Sequence, residues 1–314
     1  MHNSPLPPAI FLMGPTAAGK TALAMALYEH LPVEIISVDA AQVYRGLNIG
    51  TAKPSLGERA RVPHRLIDIR DPSEVYSAAD FCIDALRAMQ DITAAGRIPL
   101  LVGGTMFYFR ALERGLPQLP GANPALRVQL QHEMEQQGQA ALHAKLAALD
   151  PVRAERIHPN DPQRIVRALE IILLTGRAAS SYGKQGESPL PYRIVKLALY
   201  PENRLWLQQR IAERFHTMLA QGFLDEAKTL FARSDLAPTL PSLRTVGYRQ
   251  AGLYLSGKVN YNKMIEMGIT ATRQLAKRQL TWLRADTDCP RLECSQGGDV
   301  ARAALAQLFA RLSI

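Results

Sequence analysis

The run GPTAAGKT is the part of this sequence best suited to chemistry on a phosphate: Gly14, Pro15, Thr16, Ala17, Ala18, Gly19, Lys20 and Thr21. It fits the pattern G-x-x-x-x-G-K-[ST], in which glycines let backbone N–H groups turn inward around phosphate oxygens. Lys20 adds a point charge, Thr21 can reach a Mg2+ ion, and the dipole of the following helix favours an anion. Such a loop reads a diphosphate, whatever molecule carries it, so it does not by itself imply ATP hydrolysis.

Two further sets of residues fall where an open parallel sheet places its ligands, at the carboxyl ends of strands. Asp39 follows the apolar run Ile35–Val38. It can hold a Mg2+ ion, act as a base toward a second substrate, or cap a following turn; its strand, directly after the loop and its helix, favours the base. Gly103, Gly104 and Thr105 end another apolar run, where glycines allow close backbone approach and Thr105 offers a hydroxyl.

These groups need a scaffold, and the periodicity supplies one. Ala9–Met13, Val33–Val38, Arg65–Ile69, Ile98–Val102 and Arg193–Leu199 read as strands. Lys20–Leu31 reads as a helix with Leu23, Ala26, Leu27 and Leu31 on its inner face. Ala78–Ala95 reads as another, with Ser77 as N-cap, Asp80 in the first turn and Gly96 as the stop. Strands alternating with helices predict an α/β fold, a P-loop core with a parallel sheet and flanking helices. Residues 119–192 predict an all-helical insertion domain, with starts at Asn123-Pro124, Asp150-Pro151 and Asp161-Pro162 and a return loop at Gly183–Pro191. The core is then residues 1–118, completed by 193–314, where Asn203–Gly222 and Asn260–Arg284 read as long helices.

The formal net charge is +9, and it is unevenly placed. Residues 1–117 carry 11 basic and 11 acidic side chains, residues 118–199 carry 10 and 7, and residues 200–314 carry 16 and 10. A neutral first third beside a basic remainder suits a polyanionic partner. On the last long helix, Arg273, Lys277 and Arg284 fall within a stripe of about 40°, edged by Ala276, Leu280 and Leu283. The three cysteines are too scattered for a disulfide framework or a zinc site. With no signal-peptide pattern and no apolar span, the expectation is a cytoplasmic protein.

Taken together the motifs resemble the tRNA dimethylallyltransferases, also called isopentenyl-tRNA transferases. The strings that carry the resemblance are GPTAAGKTALA, ISVDAAQVYRGLNIGTAKP, PHRLIDIRDPSEVYSAADF, GRIPLLVGGTMFYF, RIHPNDPQRIVRALEI, LPSLRTVGYRQ and ATRQLAKRQLTWLR. They run in order from about Ala9 to Arg284. The resemblance implies transfer of the dimethylallyl group of dimethylallyl diphosphate to N6 of the adenosine 3′ of the anticodon, position 37 of tRNA. It implies that the P-loop holds the diphosphate with Mg2+, that Arg214 faces it with Lys20, and that Asp39 is the general base. Thr105 is implied to hold the flipped nucleotide. For tRNA contact the resemblance implies Asp39, Ala40, Ala41 and Gln42, and from the insertion Arg127, Gln163, Arg164, Ile165, Val166 and Arg167. It also implies Arg244, Thr245, Val246, Gly247, Tyr248 and Arg249, and the helical run Lys277, Arg278, Gln279, Leu280, Thr281, Trp282, Leu283 and Arg284. Ala40 departs from the family, which often has serine there. The implied partners are the tRNA anticodon stem-loop and the allyl donor, with no membrane and a monomeric enzyme.

Two other classes share some of these features. A small-molecule or nucleotide kinase has the same loop and second-strand acid, and would bind ATP and transfer a phosphoryl group. An RNA-binding regulator with a vestigial loop would not need Lys20, Thr21 and Asp39 intact.

Overall fold

Strand β1, Pro8–Met13, has Ala9, Ile10, Phe11 and Leu12 fully buried, and it lies at the heart of a parallel sheet. The computed structural model describes residues 6–183 and 190–312. The phosphate loop follows β1 and runs into α1, Lys20–His30. Then come β2, Val33–Val38; α2, Leu56–Arg61; β3, His64–Arg65; α3, Ala78–Ala94; β4, Ile98–Gly103; and α4, Met106–Arg114. Four helices follow: α5, Pro124–Gln137; α6, Gln139–Leu149; α7, Pro151–Glu155; and α8, Pro162–Thr175. The chain continues with β5, Arg193–Leu199; α9, Arg204–Ala220; α10, Phe223–Phe231; and α11, Tyr248–Leu255. It finishes with α12, Tyr261–Ala285; β6, Arg291–Leu292; and α13, Val300–Leu312.

The sheet order is β3-β2-β4-β1-β5-β6, with every pair parallel. The α/β fold expected from the alternating pattern is therefore present. β1 pairs with β4 through Ile10–Leu100 and Leu12–Val102, and with β5 through Ile10–Val195 and Leu12–Leu197. Ile10 and Leu12 join Leu23, Ala24 and Leu27 of α1, and Ala304 and Leu308 of α13, in one apolar cluster. On α1 the buried residues are Leu23, Ala24 and Leu27; Ala26, expected on that face, is only partly covered.

Local signals fixed many ends. Ser77 and Asp80 form a reciprocal capping box on α3, and Gly96 closes its end at φ 72°. Asn123, Asp150 and Asp161 each accept a backbone N–H at the start of a helix whose first residue is proline.

The run Arg65–Ile69 is not the strand its apolarity predicts. Only His64 and Arg65 pair with β2. Leu66 and Asp68 adopt φ 63° and 58°, which ends the ladder. Asp68 is drawn instead to Lys53 at 2.6 Å and Arg59 at 2.7 Å.

The chain divides into two compact units, residues 6–112 with 191–312, and residues 113–183 with 190. The second has its own core of Leu130, Leu142, Leu146, Ile165 and Leu169. Of the expected return loop Gly183–Pro191, residues 184–189 lie outside the described residues. Among the described residues no helix is long and apolar enough to cross a membrane. Cys82, Cys289 and Cys294 are free.

Candidate active site

The phosphate loop is shaped by two residues in the left-handed region, Ala17 at φ 65° and Gly19 at φ 96°. Gly19 is also the N-cap of α1, which puts the loop at the positive end of that helix. Two loop carbonyls are tied down by cations: Lys20 Nζ donates to Pro15 O at 2.7 Å, and Arg210 Nε donates to Ala17 O at 3.0 Å. Arg210 and Arg214 are one turn apart on α9 and both line the same cavity of about 320 Å3 as Thr16, Lys20, Thr21 and Asp39. Its size is that of a small-ligand cleft.

The cavity is electrostatically tense. Burial lowers the Lys20 pKa, neighbouring Arg214 lowers it further, and Asp39 only partly compensates, leaving about 8. Burial also lowers the Arg214 pKa, again against the pull of Asp39. Among the described residues Arg214 makes no hydrogen bond. Two mutually repelling cations with one acid to offset them make a place where an added polyanion gains strongly.

Asp39 stands just past the end of β2. Its Oδ1 accepts from the backbone N–H of Ala41 at 2.8 Å and of Gln42 at 3.3 Å, while no described residue donates to Oδ2. The capping reading and the base reading are thus compatible, because each uses a different oxygen. Thr105, just past β4, accepts from Ala40 N at 3.2 Å through Oγ1. The strands that bring Asp39 and Thr105 together require glycine at 103, since a Cβ there would lie 2.0 Å from the Val38 carbonyl oxygen.

Gln42 belongs to the scaffold of this wall: it accepts from Ser37 Oγ at 3.0 Å and donates to Thr51 O at 3.3 Å. Beyond it, Gly50, Thr51 and Ala52 line the cavity. The turn that leads into them is held by Glu226 of α10, which accepts from the N–H groups of Asn48, Ile49 and Gly50 at 3.0, 2.8 and 3.0 Å. Tyr248 donates its hydroxyl to the same carboxylate at 2.5 Å. Gly50 is packed so tightly on Phe223 and Tyr248 that a Cβ would meet their rings at 2.4 and 2.6 Å.

Sequence reasoning missed Glu226 and Arg210. Glu226 gives no local signal, the three amides it gathers being 176 to 178 residues away. Arg210 was legible in principle, as the residue one helical turn before Arg214.

The residues expected on RNA separate by exposure. Arg244, Arg249, Lys277, Arg278, Thr281, Trp282 and Arg284 are exposed, and Thr245, Val246 and Gly247 line the cavity. Leu280 is half-buried. In the second unit Gln163 and Arg164 are exposed and Val166 half-buried. Four side chains expected at a contact surface are interior instead: Ile165, Tyr248, Gln279 and Leu283. Helical periodicity explains this, since a contiguous run on a helix always includes residues on the inner face.

Arg127 and Arg167 are already engaged within the second unit. Arg127 Nε and Nη2 donate to fully buried Glu170 at 2.8 and 3.0 Å, and Arg167 Nη1 at 2.5 Å. Burial opposes ionisation of Glu170, but these two arginines and the Asn123 amide outweigh it and hold its pKa below the usual value.

Residues 42–286 match the family described as IPP transferase. The full-length tRNA isopentenylpyrophosphate transferase of Bacillus halodurans is 36% identical, with a TM-score of 0.71 over 98% of this chain and 96% of that one. A tRNA delta(2)-isopentenylpyrophosphate transferase of Staphylococcus epidermidis is 29% identical, with a TM-score of 0.69 over 98% and 99% of the two chains. A eukaryotic dimethylallyltransferase acting on tRNA is 27% identical, with a TM-score of 0.74 over 98% of this chain and 77% of that one.

Proposed function

This chain belongs to the IPP transferase family and is a tRNA prenyltransferase, and from that premise we propose the substrates, atoms and residue roles of its reaction. It moves the dimethylallyl group from dimethylallyl diphosphate to N6 of adenosine 37, 3′ of the anticodon, and releases diphosphate. The observation that carries this reading is the single cavity lined by Lys20, Arg210, Arg214 and Asp39. It offers an anion seat and a carboxylate oxygen to which no described residue donates.

An allylic C–O bond breaks readily because the developing cation is delocalised, so the larger task is to stabilise the leaving diphosphate. Lys20 Nζ and the Arg214 guanidinium suit that task, with the loop amides between them. A Mg2+ ion fits the donor set: Thr21 lines the cavity, no described residue hydrogen-bonds its hydroxyl, and Mg2+ favours few protein oxygens plus substrate phosphates. Bound there by Thr21 and the diphosphate, the ion would offset charge on the leaving group.

The acceptor is a poor nucleophile, because its nitrogen lone pair is drawn into the purine ring. Asp39 Oδ2 takes the proton as the N–C bond forms, a contribution of roughly a hundred- to ten-thousandfold. Oδ1, tied to the Ala41 amide, keeps the carboxylate oriented. A base stacked in an anticodon loop is out of reach, so the adenosine is flipped into the cavity, with Thr105 beside it. The exposed basic face of α12 and Arg244 and Arg249 supply phosphate contacts.

The test is to incubate the protein with labelled dimethylallyl diphosphate and bulk tRNA, then digest the RNA to nucleosides. Label on N6-dimethylallyladenosine is expected. Label that stays with the donor, or γ-phosphoryl transfer from ATP, would overturn the reading.

A further inference from the structure

The outer turns of α12 carry exposed Lys277, Arg278 and Arg284. One residue from Arg278, the helix turns Gln279 inward, where it is 7% exposed and lines the cavity. Gln279 Oε1 accepts from the backbone N–H of Thr16 at 2.8 Å, and Nε2 donates to the carbonyl of Gly104 at 2.8 Å. An N–H and a carbonyl require opposite partners, so this pair of bonds fixes the amide orientation and demands a group that both accepts and donates. A carboxamide does so without charge. A carboxylate would face a carbonyl and place an anion beside the diphosphate seat.

The fit is close on both sides. A Cβ on residue 104 would lie 2.3 Å from Gln279 Nε2, so glycine at that position is what admits the amide. Thr16 is the loop residue whose N–H is thereby taken and oriented. Gly104 is followed by Thr105, whose hydroxyl accepts from the Ala40 amide in the Asp39 turn. One side chain therefore ties the phosphate loop to the end of β4.

We infer that Gln279 is a positioning residue for the allyl donor: its amide locks Thr16 of the phosphate loop against Gly104, from the inner face of the helix whose outer face serves RNA. The inference rests on the donor site proposed above. It also reassigns Gln279, which the family resemblance places among the RNA contacts. Two neighbouring residues of α12 then act on different substrates.

The experiment uses the full chain and inorganic pyrophosphate with Mg2+ as the donor-site probe. Gln279→Met keeps the volume and removes both hydrogen bonds. It should weaken pyrophosphate binding and raise the KM for dimethylallyl diphosphate by about tenfold, the worth of one well-placed hydrogen bond. Affinity for tRNA and its salt slope should not move. Lys277→Ala should do the reverse, lowering the salt slope of tRNA binding by somewhat less than one unit while leaving pyrophosphate alone. Gly104→Ala, which crowds the amide while leaving Gln279 in place, should reproduce the pyrophosphate defect. In a Gln279→Ala background it should add nothing further. Wild-type pyrophosphate affinity in Gln279→Met, or a loss of tRNA affinity in its place, overturns the inference. An additive Gly104→Ala defect in the double variant overturns it as well. If the unmutated protein binds no pyrophosphate, the donor-site reading itself fails and takes this inference with it.

Discussion

The phosphate loop and the segment from Asp39 to Ala52 line one cavity but are held in place by different means. The loop takes its turn from its own sequence, residues in the left-handed region at 17 and 19 and Lys20 reaching back to Pro15, and distant Arg210 and Gln279 add one bond each, to the Ala17 carbonyl and the Thr16 amide. The facing segment is held by side chains far along the chain, above all Glu226, which gathers three consecutive amides and the Tyr248 hydroxyl. A diphosphate needs a fixed cradle of N–H groups, and a short motif can build one. On the proposed reading an adenosine in RNA meets the facing wall, and that wall is set by tertiary packing. Damage to the two sides should therefore appear in different kinetic constants.

The largest effect should come from Asp39→Asn. The substituted amide can still accept from Ala41 N and so keep the turn, but it cannot take the N6 proton. Single-turnover rates should fall by about a hundredfold or more, with tRNA and pyrophosphate affinities near wild type. A near-normal rate would return Asp39 to a turn-capping role and remove the chemical distinction between the two walls.

Glu226→Gln should give an intermediate effect. The amide retains one acceptor oxygen but loses the charge that holds three N–H groups. The KM for tRNA should rise by about tenfold, and urea denaturation should show a loss of roughly 1–2 kcal/mol. Pyrophosphate affinity should stay unchanged. An equal loss of pyrophosphate binding would mean that the walls move as one body.

The smallest effect is a pH dependence. Burial and Arg214 hold the free-enzyme Lys20 pKa near 8, and only the ammonium attracts a diphosphate. Pyrophosphate affinity should thus fall by about fourfold between pH 7 and pH 8.5, beyond the change seen in Lys20→Met, which shares the probe's own ionisation. The stability of the free protein moves the other way. A lysine whose folded pKa lies below its unfolded value of 10.5 destabilises fully below pH 8 and is relieved as pH rises toward 10.5. Titration calorimetry across that range, paired with urea denaturation, checks both signs.

What could be read from the sequence follows the same division. The P-loop, the capping box of Ser77 and Asp80, and the Asx-Pro helix starts are all settled within a few residues, and each is found where its pattern places it. Asp39 and Thr105 were legible because parallel strands deliver their next residues to one edge of the sheet. The run from Arg65 to Ile69 was misread because its conformation answers to Lys53 and Arg59 rather than to its own apolarity. Tyr248 and Gln279 stand inside contiguous family motifs, and only packing reveals that they face inward. Glu226 had no local signature, because the amides it collects are distant in the chain.

The sheet order has a consequence for synthesis. β1 is central, between β4 and β5, yet roughly 180 residues separate Met13 from Arg193, where β5 begins. At a ribosomal pace of about 5–20 residues per second, one side of β1 waits roughly 10–40 s for its partner strand. During that interval the nascent chain presents Ala9, Ile10, Phe11 and Leu12, all buried in the finished protein, along an open strand edge. The helical segment between β4 and β5, about 90 residues from Gly103 to Arg193, makes up roughly half of that wait, so it sets a time as well as a distance.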